Sequence, residues 1–261
     1  MLIDTHCHIH ELDYPMPIKD AISQAQKVGV EKMICVGTNL NSSKLALKAS
    51  NENEPVFSIL GVHPHHASDG SKDFINFFNN ISESDRKKVV AIGEIGLDYH
   101  YNYSPRDKQI EIFEYQIDFA LKNNLPISFH IRDAFDDFWA VLDNFKSEKI
   151  RGVLHCFTGN IKTADMAISR DLYMGVTGIV TFTKDKSQQD MFKYLPLDLM
   201  LLETDAPYLT PDPLRGKIKS NEPAYIKEIA EYISLIRDVS FEEVGSITTR
   251  NAQSLFNIES Y

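Results

Sequence analysis

The sequence predicts an α/β fold, a TIM (β/α)8 barrel that forms a single domain over residues 1–261. Short apolar runs rich in β-branched residues alternate with stretches of helical periodicity along the whole chain. Each run is almost continuously apolar, which is typical of a parallel strand that is covered on both faces. Eight such units in a chain of 261 residues match the length that this barrel needs. A doubly wound open sheet is the structural alternative.

The apolar runs define the expected strands. We expect them at Leu2–Thr5, Met33–Gly37, Val56–Val62, Val89–Ile95, Pro126–Ile131, Gly152–Phe157, Leu172–Gly178 and Leu199–Glu203. The chain has no internal repeat and no linker rich in proline, glycine or serine, so we do not expect a second domain.

Helix signals lie between these runs. After the fourth run, Ser104 is placed to cap a helix and Pro105 fits its first position. Apolar residues of that helix then recur on one face, at Ile110, Phe113, Ile117 and Leu121. A later helix repeats the pattern at Ile226, Ile229, Ile233 and Ile236. Ser240 and Glu243 have the spacing of a capping box and open the last helix.

The composition limits the possible functions. The formal net charge of −10 argues against broad binding along duplex DNA, which needs many Lys and Arg contacts to phosphates. Bound divalent ions would add positive charge, so a nucleic-acid substrate stays compatible with the sequence. No apolar run approaches the roughly 18 residues that span a bilayer, so we expect no membrane association.

Cysteine usage bears on the compartment. The three cysteines are too few and too odd in number for a disulfide framework, and the first residues do not resemble a signal peptide. Both observations favour a reducing, cytoplasmic setting. Nothing in the sequence implies an obligate protein partner.

Histidines and acids end or interrupt most of the apolar runs. In chain order they are His6, His8, His63, Glu94, His130, His155 and Asp205. In a barrel, the carboxyl ends of the strands share one rim, which is where active sites of this architecture lie. In an open sheet the same residues would be spread too widely to converge. Their positions therefore favour the barrel.

Six of these residues form a plausible ligand set for metal ions. His6 and His8 are two residues apart on one strand, so both side chains point to the same side. An isolated histidine at a strand end is more often a packed core residue than a ligand. Four histidines with Glu94 and Asp205 reverse that balance, and six N/O ligands indicate two ions about 3.5–4 Å apart. His10 lies beyond the strand, and we expect it to be a loop residue.

The acidic residues have alternative interpretations. A carboxylate inside "VVAIGEIG" must be paired, protonated or metal-bound, so Glu94 either pairs with Arg132 or bridges two ions; we favour the bridge. Asp205 either binds a metal ion or caps the turn before Pro207. Glu203 and Asp98 either orient histidine rings or are surface acids.

Other polar residues receive weaker interpretations. We expect Cys156 to face away from His155 and to pack as a small apolar group. His63 is expected to contact substrate, whereas His65 and His66 are expected at the surface.

Seven motifs together resemble the TatD family of metal-dependent deoxyribonucleases, within the wider amidohydrolase-like barrels. They are "DTHCH" at 4–8, "GVHPH" at 61–65, "GEIGLDYH" at 93–100, "FHIRDA" at 129–134, "LHCFTG" at 154–159, "ETDAPYLTP" at 203–211, and "RGK" with "NEPAY" at 215–225. The resemblance spans nearly the whole chain. It departs from the family at His10, where many relatives carry an acid, and at "RGKIKSNEP", which is longer than the usual form.

The resemblance implies a two-metal centre, with the ions being magnesium, zinc or manganese. His6, His8 and Asp205 would bind one ion, His130 and His155 the other, and Glu94 would bridge them. The family is associated with magnesium-supported nuclease activity, including removal of nucleotides from DNA 3′ ends, and some members are known only as hydrolases.

The expected function is a deoxyribonuclease that acts on DNA ends through a water molecule activated by the two ions. Asp205 is the candidate acceptor for the proton of that water. His63, Arg132 and Arg215 are candidates to bind phosphate oxygens, although Arg215 is equally well explained as a solvated loop charge. The alternative is a hydrolase of another ester or amide, such as an aminoacyl-tRNA or a small metabolite. A barrel that only binds would have no physical reason to keep six polar groups at one mouth.

Overall fold

The computed structural model describes residues 1–101 and 103–258; residues 102 and 259–261 of the predicted domain lie outside the described residues. Eight parallel strands pair in the order of the sequence. They are β1 (Leu2–Cys7), β2 (Val30–Val36), β3 (Val56–Leu60), β4 (Val89–Asp98), β5 (Ile127–Arg132), β6 (Gly152–Leu154), β7 (Tyr173–Val176) and β8 (Met200–Leu202). This order confirms the predicted TIM barrel and rules out the open sheet.

The first and last strands meet to close the barrel almost completely. Cys7 and Ala206 form a parallel bridge just beyond the end of β8. The backbone N–H of Asp205 donates to the carbonyl of His6 at 2.8 Å, and that of His8 donates to the carbonyl of Ala206 at 2.7 Å. These bonds fix the segment after β8 against the end of β1, so the acids of the one lie beside the histidines of the other.

Helices lie between consecutive strands and follow the last one. They are α1 (Ile18–Lys27), α2 (Leu40–Glu52), α3 (Lys72–Asn80), α4 (Glu83–Arg86), α5 (Arg106–Lys122), α6 (Phe135–Asn144), α7 (Ile161–Ile168), α8 (Ile179–Phe182), α9 (Lys186–Tyr194), α10 (Ile226–Arg237) and α11 (Phe241–Phe256). Short 3-10 helices occupy Pro64–Asp69, Leu197–Leu199 and Pro223–Tyr225. No helix in these described ranges is both long and apolar enough to cross a bilayer.

Strand ends differ from the prediction in a way that shapes the mouth of the barrel. β4 continues to Asp98, three residues past its predicted end, whereas β3 and β6 stop at Leu60 and Leu154. His63 and His155 therefore lie on the segments that follow their strands, while Glu94 lies within β4. The pairing of β4 with β5 shifts register between Ile92 and Ile95, the interval that contains Glu94.

The prediction that Ser104 caps α5 was wrong. The helix begins at Arg106, and Pro105 occupies the cap position without a side-chain bond. The hydroxyl of Ser104 instead donates to the carbonyl of His65 at 3.0 Å and accepts the N–H of Ser68 at 3.0 Å. Ser104 thus joins the loop after β4 to the loop after β3.

Two buried glutamines on α5 were also not predicted. Gln109 bonds to the backbone N–H and carbonyl of Asp98, and Gln116 bonds to both backbone groups of Val62. They satisfy backbone groups at the ends of β4 and β3 that would otherwise lack partners. Ile110 is correspondingly only partly buried.

The last two helices largely follow the prediction. Ile226, Ile229 and Ile233 are buried, and Ile236 packs partly buried against the core. The hydroxyl of Ser240 accepts the backbone N–H of Glu243 at 3.0 Å, which confirms the predicted N-terminal cap of α11.

Candidate metal centre

The six predicted ligand side chains meet at one mouth of the barrel, the mouth at the carboxyl ends of the strands. His6 Nε2 lies 3.4 Å from Glu94 Oε2, and His8 Nε2 lies 3.4 Å from Asp205 Oδ1. His155 Nε2 lies 3.9 Å from Glu94 Oε1 and 3.8 Å from Asp205 Oδ1. Side chains from β1, β4 and the segments after β6 and β8 therefore converge on one small volume.

Glu94 occupies the middle of this cluster and is almost fully buried. Its Oε1 accepts a hydrogen bond from His130 Nδ1 at 2.6 Å and lies 3.7 Å from His63 Nε2. Arg132 does not support the alternative of a pair with Glu94, because its guanidinium lies over the ring of Tyr101 at 4.9 Å. The charge partners of the buried carboxylate are imidazoles.

Outer hydrogen bonds orient two of the imidazoles toward the cluster. His8 Nδ1 donates to the carbonyl of Val36 at 2.8 Å, which leaves Nε2 toward Asp205. His155 Nδ1 donates to Glu203 Oε2 at 2.8 Å, which leaves Nε2 toward Glu94 and Asp205. Such partners fix ring orientation at metal sites and raise the basicity of the ligand nitrogen.

Asp98 plays the same part for a third imidazole. Its Oδ2 accepts from His130 Nε2 at 3.0 Å and from His65 Nε2 at 2.8 Å, while His130 Nδ1 faces Glu94. Of the two interpretations of Glu203 and Asp98, the structure supports partners that orient histidines, because both acids are buried.

His6 supplies an observation that fits a metal ion. Its ring is fully buried, and neither Nδ1 nor Nε2 has a hydrogen-bond partner among the residues that the structure describes. The ring stacks on that of His155, with centroids 3.4 Å apart. Burying an imidazole without partners is costly. A cation held by Nε2 together with the neighbouring carboxylates would give that nitrogen a partner, so the residues present fit a divalent ion.

Three groups of potential ligand atoms occur within the described part of the chain, each with its atoms inside 4.8 Å of one another. They are His6 with His8 and Asp205, His63 with Glu94 and His130, and His6 with His155 and Glu203. The first group is the set predicted for one ion. The second contains two residues predicted for the other site, together with His63.

The hydrogen bonds of His63 argue for a different role. His63 Nδ1 accepts the backbone N–H of His65 at 3.1 Å, so the neutral ring carries its proton on Nε2. Burial and the charge of His130 hold the pKa of His63 well below its usual range, so the ring is neutral. Its Nε2–H therefore points into the centre as a donor, in keeping with the predicted substrate contact.

The charges of the cluster suit cation binding. Burial alone would raise the pKa of the Glu94 carboxyl, but the charges of His155 and His130 and the hydrogen bond from His130 outweigh it and hold the pKa well below its usual range. Asp205 is partly buried, which alone would raise its pKa, but its contact with His8 and the charge of His155 outweigh this and lower the pKa. Both carboxylates are ionised at neutral pH.

Two imidazoles balance those carboxylates by staying protonated in the metal-free protein. Burial lowers the pKa of His155, but the charges of Glu203 and Glu94 overcome this and raise it to about 10. For His130, Glu94 and Asp98 likewise overcome burial and raise the pKa to about 9. A metal ion would take the place of these protons.

Three weaker predictions need correction or completion. Cys156 does not face away from the centre: it lines the same cavity as His155, because the chain has left β6 and adopts a positive φ of 45° there. His65 is not a simple surface residue, since it bonds to the buried Asp98. His10 lies in the loop after β1, as expected, and its Nε2 lies 3.2 Å from the hydroxyl of Ser42.

A cavity of about 1200 Å³ opens above the cluster. Arg132 and Arg215, the predicted phosphate contacts, both line it. Tyr101, Tyr103 and Tyr208 also line it, and sequence reasoning missed all three. Their signal was available, because loops after barrel strands form the rim: "YHYNY" directly follows β4, and Tyr208 lies on the segment after β8.

Comparison with known proteins places the chain in a family. The model of the family described as TatD related DNase matches residues 3–257. An uncharacterized metal-dependent hydrolase, YabD of Bacillus subtilis, is 39% identical over 258 residues, which cover 99% of this chain and all of that protein. A 3′-5′ ssDNA/RNA exonuclease, TatD of Salmonella typhimurium, is 36% identical over 92% of each chain.

The solved structures agree with the sequence comparisons. The crystal structure of YJJV, a TatD homologue from Escherichia coli, superposes with a TM-score of 0.90 at 26% identity and covers 99% of this chain and 98% of that one. The match of motifs, of fold and of the clustered ligand residues leads to one conclusion. The chain belongs to the TatD family of metal-dependent hydrolases.

Proposed function

We propose that this protein is a metal-dependent deoxyribonuclease that removes nucleotides from the 3′ ends of single DNA strands, with two divalent ions at the mouth of the barrel. The position of Glu94 carries the proposal, because its two oxygens face different imidazoles. Oε2 lies 3.4 Å from His6 Nε2, and Oε1 lies 2.6 Å from His130 Nδ1. One buried carboxylate between two donor groups is what a bridged pair of cations requires.

Two groups of side chains would hold the ions. His6, His8 and Asp205 would hold one, His130 and His155 would hold the other, and both would share Glu94. Nitrogen and carboxylate donors of this kind accept zinc or manganese readily, and magnesium where it is abundant. When bound, the ions polarise phosphate oxygens and lower the pKa of a water molecule.

The protein side chains then have distinct tasks. Asp205 is ionised and reaches the cluster, so it is placed to accept the proton of the attacking water. The Nε2–H of His63 and the guanidinium groups of Arg132 and Arg215 supply donors for the phosphate oxygens. Asp98 and Glu203 hold His130 and His155 in place.

A strand end fits the charge distribution better than a continuous duplex. The chain has a net charge of −10, whereas the ligand cluster and both arginines lie in one cavity. Positive charge confined to a cavity favours a substrate that inserts an end. The exonuclease name of the Salmonella typhimurium relative supports the same substrate class.

A second candidate is a hydrolase of another ester or amide on the same centre, such as an aminoacyl-tRNA or a small metabolite. Apolar side chains also line the cavity, among them Ile179, Phe182 and Leu209. They would suit an apolar acyl group. The Bacillus subtilis relative carries the name of a hydrolase without a stated substrate.

The test compares a linear single-stranded DNA, labelled at its 5′ end, with a covalently closed circle of the same sequence. We expect stepwise shortening of the linear strand with added magnesium or manganese, none with chelator, and an intact circle. Equal cutting of circle and linear strand would contradict an exonuclease. Hydrolysis of aminoacyl-tRNA or small esters alone would favour the second candidate.

Two variants show whether the proposed centre is responsible. Glu94→Gln should slow hydrolysis by more than the roughly 10–100-fold that is typical of losing an outer partner of a metal ligand. Glu242→Gln, an exposed residue on α11, is the matched control and should be unchanged. The cytoplasmic location and the absence of membrane and obligate protein partners stay predictions.

A further inference from the structure

Two exposed tyrosines form a stacked pair at the rim of the cavity. Tyr101 and Tyr103 lie on the loop after β4, with ring centroids 5.5 Å apart and planes inclined by 17°. They are 40% and 66% exposed, and both line the cavity above the candidate metal centre. Large aromatic side chains at this exposure contribute little to the core and offer a flat face to a ligand.

His65 contacts both tyrosine rings from the side that faces the candidate metal centre. The ring of His65 meets the ring of Tyr101 at 5.5 Å and that of Tyr103 at 4.8 Å, nearly at right angles in both cases. His65 itself is fixed by its bond to the buried Asp98 and lies 6.3 Å from the ring of His130. Tyr103 is thus two ring contacts away from a proposed metal ligand.

A positive charge lies against the same pair. The guanidinium of Arg132 sits 4.9 Å from the centroid of the Tyr101 ring. This contact holds the cation in the cavity without neutralising it, because an aromatic face is not a counter-ion. Within the described part of the chain, Arg132 has no carboxylate partner within 4 Å. A stacking surface and such a cation beside a proposed phosphate-binding centre match the two parts of a nucleotide, its base and its phosphate.

We propose that Tyr101 and Tyr103 form a stacking subsite for an unpaired nucleobase of the strand whose end reaches the metal centre. This inference rests on the proposed nuclease function, since it assigns part of the substrate to that same site. Every base has a π-face, so the subsite accepts all four bases. In a duplex, each base is already paired and stacked within the helix. The subsite therefore favours single-stranded over blunt duplex ends.

The experiment uses the metal-loaded protein and a single-stranded oligonucleotide whose 3′-terminal linkages are phosphorothioates, so that binding is measured by fluorescence anisotropy without cleavage. A second oligonucleotide lacks the last three bases but keeps their sugars and phosphates. The variants are Tyr103→Leu, Tyr103→Phe, which keeps an aromatic face, and Tyr115→Leu, a control at an exposed position on the outer helix α5. Melting temperatures verify that each variant folds.

We expect Tyr103→Leu to weaken binding of the normal oligonucleotide by about 10-fold, which is within the range measured for loss of one base–aromatic stack. Tyr103→Phe and Tyr115→Leu should bind as the wild type does. The abasic oligonucleotide should bind equally weakly to wild type and Tyr103→Leu. In cleavage of the unmodified strand, Tyr103→Leu should raise KM and leave kcat within about twofold, because the stack is equally present in ground and transition states.

The inference is overturned if Tyr103→Leu binds the normal oligonucleotide as tightly as wild type, or if wild type binds the abasic and normal strands equally. It is also overturned if wild type binds no oligonucleotide. Failure of the proposed function has a different signature. A wild-type protein that binds the strand through Tyr103 but hydrolyses none would refute the exonuclease and uphold the subsite.

Discussion

Glu203 Oε2 lies 2.8 Å from His155 Nδ1, and both side chains are buried inside the barrel. The same oxygen accepts the backbone N–H of Cys156 at 3.0 Å. Glu203 directly follows β8, so its carboxylate joins the end of β8 to the first two residues after β6. His155 Nε2 is left pointing at Glu94 and Asp205.

Removing the charge of Glu203 should weaken metal binding through His155. We expect Glu203→Gln to lower the affinity for manganese by about 10–100-fold, as is typical for an outer partner of a ligating histidine. Titration calorimetry of the metal-free protein measures this directly. Glu242→Gln on α11 serves as the exposed control, and an affinity of Glu203→Gln equal to that of the wild type would refute the orienting role.

A glycine on β7 should matter for the same reason. A Cβ at Gly175 would lie 2.2 Å from Glu203 Oε1 and 2.3 Å from Oε2, closer than real contacts allow. Gly175→Ala should therefore displace the carboxylate and lower metal affinity as much as Glu203→Gln does. Gly245→Ala in α11 is the control, because a Cβ there has its closest contact at 3.2 Å, to a backbone oxygen of Met1. If Gly175→Ala binds the metal as tightly as Gly245→Ala does, then Glu203 can move without an effect on metal affinity.

Metal binding at neutral pH should release protons. His130 and His155 have pKa values raised to about 9 and about 10, so both are protonated at pH 7 in the metal-free protein. A nitrogen must lose its proton to bind a metal. Affinity should therefore rise with pH between 7 and about 9, and fall as pH is lowered. Calorimetry in two buffers of different ionisation enthalpy should count at least one proton released per metal-loaded protein; a count of zero would contradict these protonation states.

The cap of the last helix should contribute to stability without affecting the centre. Ser240→Ala removes the acceptor for the backbone N–H of Glu243 and should lower the free energy of unfolding by about 1 kcal/mol. Urea denaturation of the metal-free protein measures the change. Metal affinity should stay as in the wild type. Unchanged stability would mean that water replaces the hydroxyl at no cost.

The sequence was sufficient for the barrel because the strands coincide with short runs that are largely apolar. Burial on both faces produces that pattern, and consecutive parallel strands with helices between them leave few topologies. Convergence of the six polar residues could be predicted as well, because strand ends share one rim. The register shift near Glu94 could not, since pairing between β4 and β5 depends on packing across the barrel rather than on local pattern.

The contacts of individual polar side chains were harder to predict. Serine is a residue type that often caps helices, yet the hydroxyl of Ser104 donates to the backbone carbonyl of His65 because the loop after β3 lies beside it. Strand alternation predicts that Cys156 faces away from His155, but the alternation does not apply because β6 ends two residues earlier. The position of Tyr101 and Tyr103 on a loop after a strand could be predicted from the sequence, but their place over the cluster could not. Such contacts join residues from separate segments, and local spacing does not encode them.

The most direct test of the account is anomalous diffraction from crystals of the wild-type protein grown with manganese. We expect two peaks in the cavity, one against His6, His8 and Asp205 and one against His130 and His155, with Glu94 between them. Crystals of Glu94→Gln should show at least one of the peaks much reduced. Peaks elsewhere on the surface with none beside Glu94 would contradict the central claim that these six side chains hold the metal ions.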